Sequence, residues 1–288
     1  MSVPGLTIIG ESINDSVPST KKLFDANDIA GLKQLARSQD EGGAAYIDVN
    51  VGQRPAAFMA EMVRHVQSVT AKPLSIDTPD PALAEAALRA YDLKRAGGQR
   101  PILNSISQLR TQMFDLMKIQ PFAPILLISE RKDAGKALAN HTAQETYETA
   151  RQLRAEAAGR GLSNAQMIFD PGIAPVGSDT EGNLQRLMAA LRLMRADPDF
   201  RGVHCSVGLS NFSVMLPSKR GDGMMVKASL ESAFLTRAMP LGIDYVIGSV
   251  KRKYERLPDG HDALRCFDDV LNLEGFDAIM RVQEFYSA

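Results

Sequence analysis

A repeat constrains this chain more than any single residue does. Short apolar, β-favouring runs alternate with longer Ala/Leu/Arg/Glu-rich stretches whose apolar residues recur at helical spacing. The runs are LTIIGES (6–12), AAYIDVNVG (44–52), PLSIDT (73–78), RPILNSIS (100–107), APILLISE (123–130), AQMIFDPGI (165–173), VHCSVGLSN (203–211) and IDYVIGSV (243–250). Helices are expected near 28–42, 55–70, 80–91, 108–119, 143–161, 183–196, 224–240 and 261–272. Spread over 288 residues, eight such units average 36 residues each, room for a strand, a helix and two loops. This is the arithmetic of an α/β fold of (β/α)8 TIM-barrel type, with a doubly wound open sheet as the alternative. No Pro- or Ser-rich linker or low-complexity tract divides the chain, so one domain over 1–288 is expected.

The polar residues on these runs are unevenly placed. The first run ends in Glu11 with Asn14 close behind, and the second in Asp48 and Asn50. The third ends in Asp77, the fourth in Asn104, the sixth in Asp170 and the seventh in Ser210 and Asn211. Each follows several apolar residues, which puts it at the C-terminal mouth of a barrel, where active sites of this architecture are built. A single Asp or Asn there is well explained as the cap of the next helix. Six of eight strands ending in short amides or carboxylates, without a lysine or arginine among them, is more than capping requires.

Several familiar chemistries are disfavoured. The 33 basic and 34 acidic residues leave a formal charge of −1, without the basic excess of a nucleic-acid binder. His65, His141, His204 and His261 are scattered, and none pairs at metal-ligand spacing, so no protein-bound metal is expected. Two cysteines, Cys205 and Cys266, make no disulfide framework, and a reducing, cytoplasmic compartment is the expectation. No basic leader opens the chain, and no run approaches the ~18 apolar residues of a membrane span. Nucleophile-elbow, Walker and dinucleotide-binding glycine motifs are absent. RGDGMMVK (220–227) is a Gly-containing loop and a weak phosphate signal. Asp48 and Asp77 form a possible acid–base pair of low specificity.

A ring of carboxylates and amides without cations suits a flat ligand rich in hydrogen-bond donors. A pterin offers such an edge, because its 2-amino group and N3–H form a donor pair that one carboxylate accepts in bidentate fashion. Guanine-like and flavin-like heterocycles satisfy the same chemistry, and the residues alone do not choose among them.

The strings GESIN (10–14), YIDVNVG (46–52), LSIDT (74–78), ILNS (102–105), IFDPGI (168–173) and VGLSN (207–211) occur in this order and spacing. Six in register, from about residue 8 to 250, resemble the pterin-binding barrel superfamily, in particular its methyltetrahydrofolate:corrinoid methyltransferase branch. The dihydropteroate synthase branch shares several of these strings, but its seventh strand ends in Ser-Arg-Lys. Here Gly208-Leu209-Ser210-Asn211 stands at that place. The resemblance implies that Asp77, Asn104 and Asp170 hold the pterin, with Asp170 on the 2-amino/N3 edge. Asn50, Glu11 and Asn14 complete the binding ring. Asn211 falls at the residue that meets N5, the atom bearing the methyl group, while Gly208 and Ser210 shape the strand end beneath it. Lys219 and Arg220 are candidates for the glutamate tail, with a solvated loop as the competing explanation. Some members carry glutamine three residues after the Asn, where this chain has Val214.

The implied reaction moves a methyl group between a corrinoid cobalt and N5 of tetrahydrofolate, in a direction that the sequence leaves open. Tetrahydrofolate and 5-methyltetrahydrofolate are then substrates. The cobalamin arrives free or on a corrinoid protein, through a mouth without a long lid. A homodimer is the family expectation, and 184–194 and 224–241 are candidate contact stretches, with ordinary core packing as the stronger competing explanation. A dihydropteroate synthase-like enzyme and a catalytically silent pterin-binding module are the alternatives.

Overall fold

The computed structural model describes residues 3–288. Met1 and Ser2, which open the N-terminal stretch read above for a leader, lie outside the described residues. Eight parallel strands close into a barrel, here numbered β1 (Thr7–Asn14), β2 (Tyr46–Asn50), β3 (Leu74–Asp77), β4 (Ile102–Ile106), β5 (Ala123–Leu127), β6 (Ile168–Asp170), β7 (His204–Gly208) and β8 (Ile243–Gly248). Each strand pairs with its neighbours in chain order, and β1 closes the ring on β8 with Thr7 opposite Tyr245 and Gly10 opposite Gly248. This is the expected TIM barrel, and the open-sheet alternative falls.

Pleating sends alternate side chains to opposite faces, and the barrel separates two apolar populations accordingly. Ile8, Ile47, Val49, Leu103, Leu126 and Phe169 join the large outer core beneath the helices. Ile9, Ile102, Ile125 and Ile168 form a separate packed cluster, lined by Tyr46, Ala123, Tyr245 and Ile247. This second cluster is the barrel interior. Two residues beyond three of its four isoleucines, on the same face, come Glu11, Asn104 and Asp170. The inward set therefore turns from apolar to polar in one step toward the C-terminal ends.

Helices α1 (Pro18–Asp25), α2 (Ile29–Glu41), α3 (Ala56–Gln67), α4 (Pro81–Ala90), α5 (Ala143–Gly159), α6 (Asn183–Ala196), α7 (Leu209–Phe212), α8 (Val226–Ala238), α9 (Asp262–Val270) and α10 (Gly275–Ser287) accompany the strands. Their starts follow local chemistry. Thr142 and Glu145 form a reciprocal capping box on α5, and Asp80 caps α4, where Pro81 takes the first turn. Five features depart from the sequence reading, the first being α7, which starts inside the run read as 203–211. Helices α1 and α10 were not anticipated; α10 buries Ala278, Val282 and Phe285 on one stripe. The helix expected over 108–119 is a 3-10 helix, Thr111–Lys118. An antiparallel hairpin, Glu130–Asp133 with Lys136–Ala139, follows β5 on the mouth side, where no long loop was expected. Its turn residues Ala134 and Gly135 have φ of 45° and 83°, the left-handed pair that a tight two-residue hairpin turn requires.

Candidate active site

The site is assembled at the mouth, one layer above the isoleucines. Asn50 ends β2 and donates its side-chain Nδ2 to Asp77 Oδ2 at the end of β3, at 2.8 Å. Asp77 stands in register with Asn104 of β4, and the peptide bond after Asn104 is cis. Across the barrel Asp170 ends β6, where it is only 7% exposed. One of its oxygens accepts the Gly172 N–H at 2.7 Å and the other the Ser206 hydroxyl of β7 at 3.3 Å. Asn50 and Asp77 also line a cavity of about 630 Å³ with Gly52, Gln53, Thr78 and Pro79, of a size for a small-molecule ligand.

The electrostatics follow from burial without enough compensation. Burial pushes the Asp170 carboxyl up to about 6, against the opposing pull of the Gly172 N–H, Ser206 and Arg186. Burial also raises Asp77, offset by Asn50 and the charge of Arg110. Asp48 lies deeper, fully buried, and neither of its oxygens has a hydrogen-bond partner among the described residues. Burial raises it well above the usual carboxylate range and the Asp77 and Glu11 charges push the same way, with only the nearby Ser75 hydroxyl pulling against them. Burial of this depth beside two other carboxylates favours the neutral acid. The mouth therefore carries fewer negative charges than its Asp and Glu count implies.

At the β7 side the chain turns into the single turn α7. Ser210 donates its hydroxyl to Glu11, so these two expected pterin contacts are engaged with each other. Asn211 is exposed. A Cβ placed on Gly208 would lie 2.9 Å from Asn211 Nδ2, so the amide leans over the end of β7. Asn14 accepts from the Ser16 N–H and hydroxyl at 2.9 and 2.7 Å and stands in register with Asn50. The two tail candidates separate. Lys219 is exposed, whereas Arg220 is paired with Asp222, lies 3.4 Å from Asp262 and sits over the Phe285 ring of α10. The Arg220 guanidinium is thus committed to its own chain.

Two cations near the mouth were missed. Arg110 donates to the Ser105 carbonyl at 2.9 Å and reaches Glu130 of the hairpin at 3.5 Å, with the Asp77 charge nearby. Arg252, after β8, lies 3.3 Å from the buried Glu231 of α8. Neither stands at a strand end; each arrives from a loop that only the closed barrel brings to the site.

A flat heterocycle with a donor edge and a mixed remainder fits this arrangement. Asp170 offers a carboxylate at the end of β6, Asp77 and Asn104 stand in register at the ends of β3 and β4, and the Asn211 amide lies by the end of β7. Among the described residues no group of three or more His, Cys, Asp or Glu is placed to hold a metal ion, and no helix is long and apolar enough to cross a membrane.

The family model for pterin binding enzymes matches residues 13–248, and the chain belongs to that family. Among curated relatives, the methylcorrinoid:tetrahydrofolate methyltransferase of Eubacterium limosum is 26% identical over 245 residues, 84% of each chain. Among solved structures, the dihydropteroate synthase of Xanthomonas albilineans with 4-aminobenzoic acid superimposes with a TM-score of 0.58 at 18% identity, covering 92% of both chains. The dihydropteroate synthase of Yersinia pestis gives a TM-score of 0.58 at 13% identity, over 99% of this chain and 97% of that one. At such identities these structures establish the shared barrel.

Proposed function

We propose that this protein transfers a methyl group between a corrinoid cobalt, presented as free methylcobalamin or on a corrinoid protein, and N5 of tetrahydrofolate. The observation that carries the reading is Asn211, an exposed amide held over the end of β7 where neither lysine nor arginine stands. The name of the Eubacterium limosum relative points the same way. Asp170 accepts from the 2-amino group and N3–H, and Asn104 and Asp77 meet the remaining ring heteroatoms. Asn50 fixes Asp77 through its 2.8 Å hydrogen bond. Lys219 is the remaining candidate for the glutamate tail. In the direction of tetrahydrofolate methylation, N5 gains the methyl and loses its proton, and both electrons of the broken bond stay on the cobalt. Asn211 carries a donor and an acceptor on one amide, so it can accept from N5–H before transfer and donate to the N5 lone pair afterwards. Such a group acts on the atom whose charge changes. The working protein on this reading is a cytoplasmic homodimer.

The test mixes methylcob(III)alamin, tetrahydrofolate and the protein anaerobically and follows the visible spectrum. Loss of the methyl–cobalt bands with growth of cob(I)alamin is expected. No spectral change together with no binding of tetrahydrofolate or its methyl derivative overturns the proposal.

The glycine at the end of β7 makes a second prediction. Gly208→Ala forces the Asn211 amide aside, because the new Cβ would sit 2.9 Å from Nδ2. Only the end of a flexible side chain must move, so the fold should survive with little change in melting temperature. The transfer rate is expected to fall by about 10-fold or more, as misplacing a reacting-site group does. Unchanged turnover in the alanine variant would show that Asn211 does not act from its observed position.

A further inference from the structure

The turn bearing Asn211 is pinned on every side but one. Leu209 and Phe212 are fully buried, and Phe212 stacks among Phe234 and Phe267 at centroid distances of 5.5 and 6.1 Å. The Phe212 carbonyl accepts the Val176 N–H at 2.9 Å. The two serines flanking Asn211 each donate a hydroxyl to a carboxylate from a different element: Ser210 to the partly buried Glu11 of β1, and Ser213 to the buried Glu231 of α8. Ser213 and Glu231 are fully inaccessible to solvent. Arg252 lies 3.3 Å from the other Glu231 oxygen and acts on Glu11 as well. One cation thus serves two carboxylates, and only Asn211 of the turn is left facing outward.

We infer that Glu231, acting through Ser213 and sharing Arg252 with Glu11, is a positioning residue that sets the orientation of the Asn211 amide. The inference rests on the methyl-transfer reading for its catalytic meaning, and on geometry alone for the positioning. A carboxyl buried in the middle of a helix costs stability unless it is paired, and its one hydrogen-bond donor here is a residue of the turn, Ser213. From the end of the α7 turn the group facing Glu231 is Ser213. From the segment after β8 come Arg252 and Tyr254, from β1 Glu11, and from its own helix Lys227. The Tyr254 hydroxyl has no hydrogen-bond partner among the described residues.

Burial raises the Glu231 carboxyl to about 7, against the opposing Ser213 hydrogen bond and Arg252 charge. As pH rises through that value the group becomes a carboxylate, a stronger acceptor for Ser213 and a full ion-pair partner for Arg252. The hold on the turn should tighten in the same interval.

Two readouts separate positioning from folding. In ¹⁵N-labelled protein the Asn211 side-chain amide resonances, assigned with Asn211→Ala, should shift between pH 6 and 8 with a midpoint near 7. That transition should disappear in Glu231→Gln. In methyl transfer, Ser213→Ala and Glu231→Ala should lower kcat about 10-fold or more with KM within about twofold, as loss of a charge-assisted hydrogen bond to an orienting group does. Glu231→Gln, which still accepts from Ser213, should recover most of that loss. An Asn211 amide that titrates in Glu231→Gln as in the natural protein overturns the inference, as does an equal loss of kcat and pterin affinity in Ser213→Ala. If the natural protein transfers no methyl, the functional proposal fails, and the amide titration still decides the positioning.

Discussion

Asn211→Ala should slow methyl transfer between methylcobalamin and tetrahydrofolate by 10²–10³-fold, about 2.7–4 kcal/mol, the usual cost of removing one preorganised polar group aimed at developing charge. The fold should be indifferent, because Asn211 is exposed while its neighbours in the turn are held by burial and by Ser210 and Ser213. Pterin affinity should change by no more than about threefold, since the ring edges are held elsewhere and only N5 loses a partner. Single-turnover absorbance of the corrinoid gives the rate, and fluorescence titration with tetrahydrofolate gives the affinity. A loss under tenfold, or a loss of affinity as large as the loss of rate, would remove Asn211 from the role assigned to it.

Asp170→Asn should produce an opposite pair of effects, weaker ligand binding and a more stable protein. The carboxyl is 7% exposed and has been pushed from the usual 3.8 up to about 6. A folded-state value above the unfolded one means that the native protein holds this proton more tightly than the unfolded chain. Stability is therefore undiminished below about pH 4, falls as pH rises toward 6, and stays lowered above it. Two units correspond to a cost on the order of 3 kcal/mol at neutral pH, which a neutral amide of the same shape does not carry. The variant should melt a few degrees above the natural protein at pH 7.5 and show little advantage at pH 4. Its tetrahydrofolate affinity should drop by about 10²-fold, because an amide presents one acceptor where the pterin edge needs two. In the natural protein affinity should decline as pH falls through 6. Differential scanning calorimetry at the two pH values and isothermal titration test both halves. Unaltered affinity in Asp170→Asn would place the 2-amino edge on another residue.

The barrel was legible because its signal is redundant. Each short run carries its own apolar stretch and polar terminus, so Ile9 with Glu11, Ile102 with Asn104 and Ile168 with Asp170 report the same inward face three times. Asp77 was legible for the same reason, at the end of LSID. The hairpin was hidden because its turn reads Asp-Ala-Gly-Lys, with Ala134 at a left-handed position where Asn or Asp would have advertised it. Glu231 was hidden more thoroughly. It sits in α8 among Ser, Ala and Leu, and nothing in the local pattern separates it from a solvated helix glutamate. Arg110 and Arg252 belong to loops whose destination is a tertiary fact. Asp48 was noted as half of an acid–base pair, yet its lack of any donor is a property of the closed interior.

The four isoleucines inside the barrel have a consequence for timing. They form a packed stopper beneath the polar ring, with Tyr46, Tyr245 and the His204–Asp244 pair at 2.5 Å below or beside it. The isoleucines close the barrel beneath the polar mouth. On the proposed reaction the pterin, the methyl group and the proton lost from N5 all pass through the same doorway, which the corrinoid carrier then covers. On that reading the expected order is folate first and carrier last, with the methylated product leaving after the carrier. On that reaction, order of arrival would follow from the single polar mouth above the isoleucines.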